Sequence, residues 1–307
     1  MRSQSSLETL LHEERGRPWL FVRPGGNWGD HLIYAGAEHL ARKLKLTWAS
    51  CEAADFARSP TSSEHGIYVH GGGGYNSWGS GRPFELLACA VARAAPLVVQ
   101  GPQTIEDANE ALRARFAAAL AKVNANRVVF FAREPHSRDA LLSLDLPACE
   151  ITMDHDTAFH LDRDAIVELA ALDGMPSPRY DLTALREDDE QVGAAHGAPA
   201  RGVVLDPAYA ADSFGHWLRI HLFARRLLTN RLHSAIVSAL AGRPVTLALG
   251  SYHKNRSVFD YSLAARGVQW TDAIRAPADW WARLPRRLRD SYRLRKLRLR
   301  LMGVPTR

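Results

Sequence analysis

Four times between Trp19 and Leu144 a short apolar run stops at a polar or glycine turn and passes into an amphipathic helix. That recurrence restricts the chain to folds in which helices cover a parallel sheet. The first repeat is Trp19-Leu20-Phe21-Val22, then Pro24-Gly25-Gly26, then a helix opened by Asn27-Trp28-Gly29-Asp30 with Leu32, Ile33, Ala37, Leu40 and Leu44 on one face. The second is Ile67-Tyr68-Val69-His70, the run Gly71 to Gly74, and a helical pattern from Phe84 to Ala94. The third is Leu97-Val98-Val99, a turn over Gln100-Gly101-Pro102-Gln103-Thr104, and an alanine-rich helix from Asp107 to Val123. The fourth is Val128 to Ala132, then Arg133-Glu134-Pro135-His136-Ser137 and a helix to Leu144. Successive βα units place all such turns on one sheet edge, so a doubly wound α/β domain is predicted with its informative loops on a single rim.

Residues 1–17 are polar and charged and read as a loosely held leader, followed by an N-terminal α/β domain over 18–165 that closes with a short fifth strand at Glu150-Ile151-Thr152. Between 166 and 200 the periodicity lapses, and Gly174, Pro176, Pro178 and the acidic block Glu187-Asp188-Asp189-Glu190 mark a linker region. The alternation resumes over 201–276 with Val203-Val204-Leu205-Asp206, a helix from about Ser213 to Arg226, the run Leu227-Leu228-Thr229, and Pro244 to Leu249. A chain of 307 residues exceeds what one core usually serves, and two α/β domains with facing loops predict a ligand cleft between them.

Charge separates a third region. Of the formal +6, the stretch Trp280 to Arg307 contributes ten Lys/Arg against Asp290, or +9, leaving −3 for the remainder. Within this basic amphipathic tail, 277–307, Trp280-Trp281 and the leucines 284, 288, 294, 297 and 301 alternate with arginines. Such a pattern fits a segment, 280–301, lying on an anionic membrane surface, or a terminal helix packing its leucines on the body. No nucleic-acid module accompanies it, so nucleic acid is not an expected partner. No apolar run approaches a bilayer span and the N-terminus has no apolar signal core, so the expected location is cytoplasmic, and peripheral at the inner face of the membrane on the first reading of the tail. Cys51, Cys89 and Cys149 match no metal spacing, and Asp154-His155-Asp156 with His160 is the nearest approach to a ligand cluster; no metal is expected.

Three loops carry chemistry by residue type alone. The glycines before Asn27 and Asp30, and Gly72 and Gly73 in the glycine run, allow close backbone approach, while helix-start N–H groups favour an anion or a sugar hydroxyl. Arg231 and His233 fall where Leu227-Leu228-Thr229 gives way to the amphipathic helix Ser234 to Ala241, which ends at Gly242, with Asn230 available as a cap.

In order along the chain, these pieces resemble the polysaccharide pyruvyltransferase family. They are Asn27-Trp28-Gly29-Asp30, Gly71 to Gly74, Gly101-Pro102-Gln103-Thr104-Ile105, Arg133-Glu134 with Ser137, Asp156-Thr157-Ala158-Phe159, Arg231-Leu232-His233, Gly242-Arg243-Pro244-Val245 and Lys254. Thr157 stands where the family usually has proline. The resemblance implies two Rossmann-like domains in a GT-B-like arrangement. It also implies transfer of pyruvate from phosphoenolpyruvate to a glycan as a ketal, without a cofactor, the glycan being free or lipid-linked. Protonating the enol carbon calls for an acid near neutrality, and His233 is the candidate catalytic residue. Arg133 and Arg231, as the family's R-E and R-x-H motifs imply, with Lys254, are expected to bind the donor's carboxylate and phosphate. Asn27, Asp30, Gly72, Gly73, Gln103, Glu134, Ser137 and Asp156 are expected to contact donor or acceptor, Glu134 chiefly in a structural role. A nucleotide-sugar glycosyltransferase of the same fold and a catalytically silent glycan-binding relative are the alternatives.

Overall fold

The computed structural model describes residues 6–59, 63–77, 81–146, 148–187, 197–275, 291–301 and 303–305. By their contacts the residues group into two units, Met1–Gly26 with Asp30–Leu161 and Asn27–Gly29 with Asp162–Arg307.

In the first unit α1 (Leu7–Glu13) precedes β1 (Pro18–Arg23), α2 (Trp28–Lys43), β2 (Thr47–Glu52), α3 (Ala53–Phe56), β3 (Gly66–Val69), β4 (Gly72–Tyr75) and α4 (Arg82–Val91). β5 (Val98–Ile105), α5 (Glu110–Ala119), β6 (Val128–Ala132), α6 (Pro135–Ser143) and β7 (Glu150–Met153) complete it. The strands pair in parallel in the order β2-β1-β3-β5-β6-β7, with β4 beside β5. Because helices cover both faces, strands such as β3 and β6 are apolar throughout, and alternate residues serve two cores. Leu20 and Val22 join Ile67, Val69 and Phe130 on the side of α4 and α5. Trp19 and Phe21 join Tyr68, Val129 and Phe131 with Leu7, Leu10 and Leu11 of α1.

The second unit contains α7 (Arg163–Leu169), β8 (Tyr180–Ala184), β9 (Ala198–Pro199), β10 (Val203–Leu205), α8 (Pro207–Ala210), α9 (Phe214–Leu222) and β11 (Ala224–Thr229). It continues through α10 (Leu232–Leu240), β12 (Val245–Ala248), α11 (Lys254–Val258), β13 (Gln269–Thr271), β14 (Ile274–Arg275) and α12 (Tyr292–Leu301). Five parallel strands run in the order β10-β8-β11-β12-β13, and β14 pairs with β9.

Each sheet therefore starts inside, steps to one side and then returns across its own first strand. This gives a Rossmann-like α/β order with a topological switch between β1 and β3 in one unit and between β8 and β11 in the other, the place where such sheets bind ligands.

Four expectations need correction. From Ser6 onward the leader is not loosely held: Ser6 caps α1, and Leu7, Leu10 and Leu11 are at most 2% exposed. Gln100 to Thr104 is not a turn but the continuation of β5, buried along its length. Its polar residues survive burial because Gln100 Nε2 donates to the carbonyls of Val69 (3.2 Å) and His70 (3.1 Å) while its Oε1 accepts from the Tyr75 hydroxyl at 2.8 Å. The presumed linker 166–200 contains most of α7 and, as β8, the strand about which the second sheet turns. Thr183 hides that strand from a hydropathy reading, and its hydroxyl is satisfied by Arg201, donating to the carbonyl at 2.8 Å and accepting from N–H at 2.9 Å. The helix expected over Ser213 to Arg226 is shorter, ending at Leu222, because Ala224 already pairs in β11. Trp280, Trp281, Leu284, Leu288 and most of the acidic block lie outside the described residues.

Candidate functional site

At the first unit's switch point the rim is built from the ends of β1, β3 and β5. Gly71 is there for close approach, since a Cβ on it would lie 2.2 Å from the Pro102 carbonyl oxygen. Beside it, the position of a Cβ on Gly72 is 3.7 Å from Gln103 Oε1 and 3.8 Å from Asp30 Oδ1, so Asp30, Gly72 and Gln103 do come together. Gln103 Nε2 donates to the His70 carbonyl at 3.3 Å, whereas its Oε1 is buried with no hydrogen-bond partner in the protein. A carboxylate and an unpartnered amide oxygen side by side are acceptors suited to hydroxyl donors. Gly73 is half-buried within β4. Beneath them His70 is fully buried among Phe21, Tyr34 and Tyr68, with ring centroids 5.6, 4.7 and 5.1 Å away. Neither ring nitrogen has a hydrogen-bond partner, and burial, aided by the Arg23 charge, holds its pKa well below the usual histidine value.

A second group lies where β6 and β7 end. Arg133 is 1% exposed; its Nε donates to Thr104 Oγ1 at 2.7 Å and its Nη1 to Asp156 Oδ2 at 2.9 Å. Asp156 Oδ1 accepts from the Ala158 N–H at 2.9 Å. Glu134 caps α6, one carboxylate oxygen accepting from the Ser137 N–H at 3.1 Å and the other from its hydroxyl. The Ser137 hydroxyl in turn accepts from the Ile105 N–H at 2.8 Å. Arg133, Glu134, Ser137 and Asp156 thus form a buried brace tying β5, β6 and α6 to the turn after β7. This differs from the expectation of a donor-binding guanidinium: the charge of Arg133 is turned inward onto a carboxylate. The cluster first weighed as metal-like is also engaged, Asp154 accepting from the N–H groups of Leu7 and His155, both at 2.7 Å. Thr157, in place of the family's usual proline, donates its hydroxyl to the Ile33 carbonyl at 2.9 Å.

The second unit's switch point carries Arg231 and His233. Thr229 Oγ1 donates to the Ala184 carbonyl at 2.8 Å and accepts from the Arg231 N–H at 2.9 Å, which seams the ends of β8 and β11. Asn230 does not cap the helix as expected. Its side-chain oxygen accepts from the Arg186 N–H at 2.9 Å, and Arg231 is the N-cap of α10, whose first turn has no side-chain cap. The Arg231 guanidinium, at a residue only 6% exposed, pairs with Asp206, which is 2% exposed and also caps α8. Two residues on, His233 is half-buried and packs on the backbone at Gly29: a Cβ there would lie 2.6 Å from His233 Nδ1. Asn27, exposed, accepts from the Gly29 N–H at 2.8 Å and so shapes this support. Lys254 begins α11 with its ammonium 4.9 Å from the Tyr252 ring centre. Asn255 fixes that loop to the Arg231 loop, its Nδ2 donating to the carbonyls of Asn230 and Ala248, both at 2.9 Å.

Sequence reasoning missed Asp206, Asn255 and Gln100 as supports. The available signal was Asp206 before Pro207 at a strand end, a strong capping position.

Two Rossmann-like sheets, with an arginine and a histidine at a helix start without a side-chain cap on one switch point and a carboxylate beside a buried amide oxygen on the other, define the class as a Rossmann-like α/β protein with polar groups gathered at its switch points. A family model described as polysaccharide pyruvyl transferase matches residues 27–251, and the chain belongs to that family, one of transferases. No curated protein matches the sequence. A crystal structure of an uncharacterized protein from Klebsiella pneumoniae subsp. pneumoniae NTUH-K2044 is similar, with a TM-score of 0.63 and 21% identity, over 87% of this chain and 97% of that one. That likeness supports the fold alone.

Proposed function

We propose that this chain transfers the enolpyruvyl group of phosphoenolpyruvate to a sugar of a cell-surface glycan precursor as a pyruvate ketal. One sugar hydroxyl adds to C2 as C3 takes a proton, and a second hydroxyl on the same sugar displaces phosphate from C2. His233 supplies the proton to C3; removal of such an acid typically costs 10²- to 10⁴-fold in rate. Arg231 binds the donor's carboxylate or phosphate, assisted by the helix-start N–H groups of α10 and by Lys254. Asp30 and Gln103, with the glycine backbone at 72 and 73, accept hydrogen bonds from hydroxyls, and Asn27 acts through the support it gives Gly29. Arg133, Glu134, Ser137 and Asp156 enter as the brace that keeps the first unit's rim in place, and no metal or cofactor is required by these steps.

What carries this proposal is the pairing of a buried, aspartate-held Arg231 with a half-buried His233 two residues later on the same helix start. Fixing the guanidinium in advance suits recognition of a planar anion. His233→Ala is expected to lower turnover at least a hundredfold with donor affinity nearly unchanged, whereas Arg231→Ala weakens donor binding as well. Phosphate release from phosphoenolpyruvate with a glycan acceptor, beside calorimetric donor titration and a nucleotide-sugar control, measures both. Wild-type turnover in His233→Ala, or activity with the nucleotide sugar alone, would overturn the assignment.

A further inference from the structure

The terminal helix α12 has two unlike faces. One fixes it to the second unit: Leu299 is 4% exposed, and Lys296 Nζ lies 3.3 Å from Asp212 Oδ2. Just beyond the helix Val304 is 4% exposed, and the Pro305 carbonyl accepts from His216 Nε2 at 2.7 Å. The other face exposes large apolar side chains, Leu294 by 36%, Leu297 by 53% and Leu301 by 79%. At about 100° per residue these three share roughly 60° of arc, opposite Leu299. The register positions bordering that arc are Arg298 and Arg295 on one side and Arg293 and Arg300 on the other. The ten residues of the helix hold five Lys/Arg and no acid.

We propose that the Leu294, Leu297 and Leu301 face of α12 docks in the interfacial layer of an anionic lipid bilayer, while Leu299, Lys296 and the following turn hold the second unit to the helix. The occupant is chosen by charge complementarity. An apolar stripe bordered by cationic register positions on both sides, in a stretch, 280–307, that carries +9, matches acyl chains beneath anionic headgroups. No described helix is long and apolar enough to cross a membrane, so α12 lies in the plane of the surface. The two readings of the tail, packed on the body or bound to lipid, then belong to opposite faces of one helix. This inference is independent of the chemistry proposed above.

Flotation of the full-length protein with phosphatidylcholine vesicles, with and without phosphatidylglycerol, at low and raised salt, tests it. The wild type is expected to bind anionic vesicles at least tenfold more tightly than neutral ones, and less tightly as salt rises. Leu294→Ser/Leu297→Ser/Leu301→Ser lowers that binding at least tenfold with an unchanged melting temperature; Leu297→Ser alone lowers it measurably should the triple variant fold poorly. Equal binding to both vesicle types, or wild-type binding by a folded variant, overturns the proposal. So does a concentration-dependent dimer that the variant abolishes without any vesicle binding, which would make the face a contact between copies of the chain.

Discussion

Arg133 and Arg231 each follow a parallel strand and each meet a buried aspartate, yet their surroundings differ. Arg133 is closed in by Thr104 and Asp156, while Arg231 stands at the head of a helix with no side-chain cap. Removing one partner of a buried pair leaves the other charged and desolvated, at a cost of about 3–5 kcal/mol. Arg133→Ala is therefore expected to lower unfolding free energy by roughly that amount in urea titration, and Arg133→Met with Asp156→Leu to recover most of it. A direct donor ligand would instead raise KM and leave stability nearly untouched. The R-E dipeptide was visible in the sequence, but its inward turn was not, because the deciding partner lies 23 residues later. Arg231 and His233 were more legible, since their setting at a strand-to-helix junction is local.

Among the elements, α1 shows how a short, charged segment is misjudged. Seven residues with two glutamates look like a frayed end, yet Leu7, Leu10 and Leu11 fall on one face and enter the core beside Trp19 and Phe21. Truncating a buried leucine costs about 2–5 kcal/mol, so Leu10→Ala should lower the urea midpoint clearly, where a loose leader would leave it unmoved. The first four βα repeats were legible because their apolar runs are continuous. β8 was not, because Asp181 and Thr183 interrupt its run and their partners, Arg225 and Arg201, come from distant sequence. β5 runs past its apolar start, Val98-Val99, for a similar reason: Gln100 and Gln103 read as turn residues until their hydrogen bonds to the β3 end are seen.

For the whole molecule the same 2-1-3 start recurs in both sheets, and such sheets offer their ligand crevice at the place where each reverses. Burial also gives the molecule a shared acid sensitivity. His70, His160, His216 and His221 all have pKa values lowered first by burial, that of His221 to about 4. Unfolded histidines take protons near pH 6.5, so the unfolded state binds more protons than the native state as pH falls below that value. Stability is full above about 6.5 and declines toward the folded values, with His221 alone contributing on the order of 3 kcal/mol by pH 4. Urea titrations at stepped pH should show this decline, and His221→Gln, which cannot titrate, should reduce its slope.

Asn27–Gly29, the support under His233, belongs by contact with a unit whose remaining residues begin at Asp162. Neither unit is therefore a single stretch of gene. A recombination that exchanged everything after Leu161 for a relative's sequence would replace the histidine and leave its seat behind, so a functional chimera has to carry the first three residues of that early turn along with its second half.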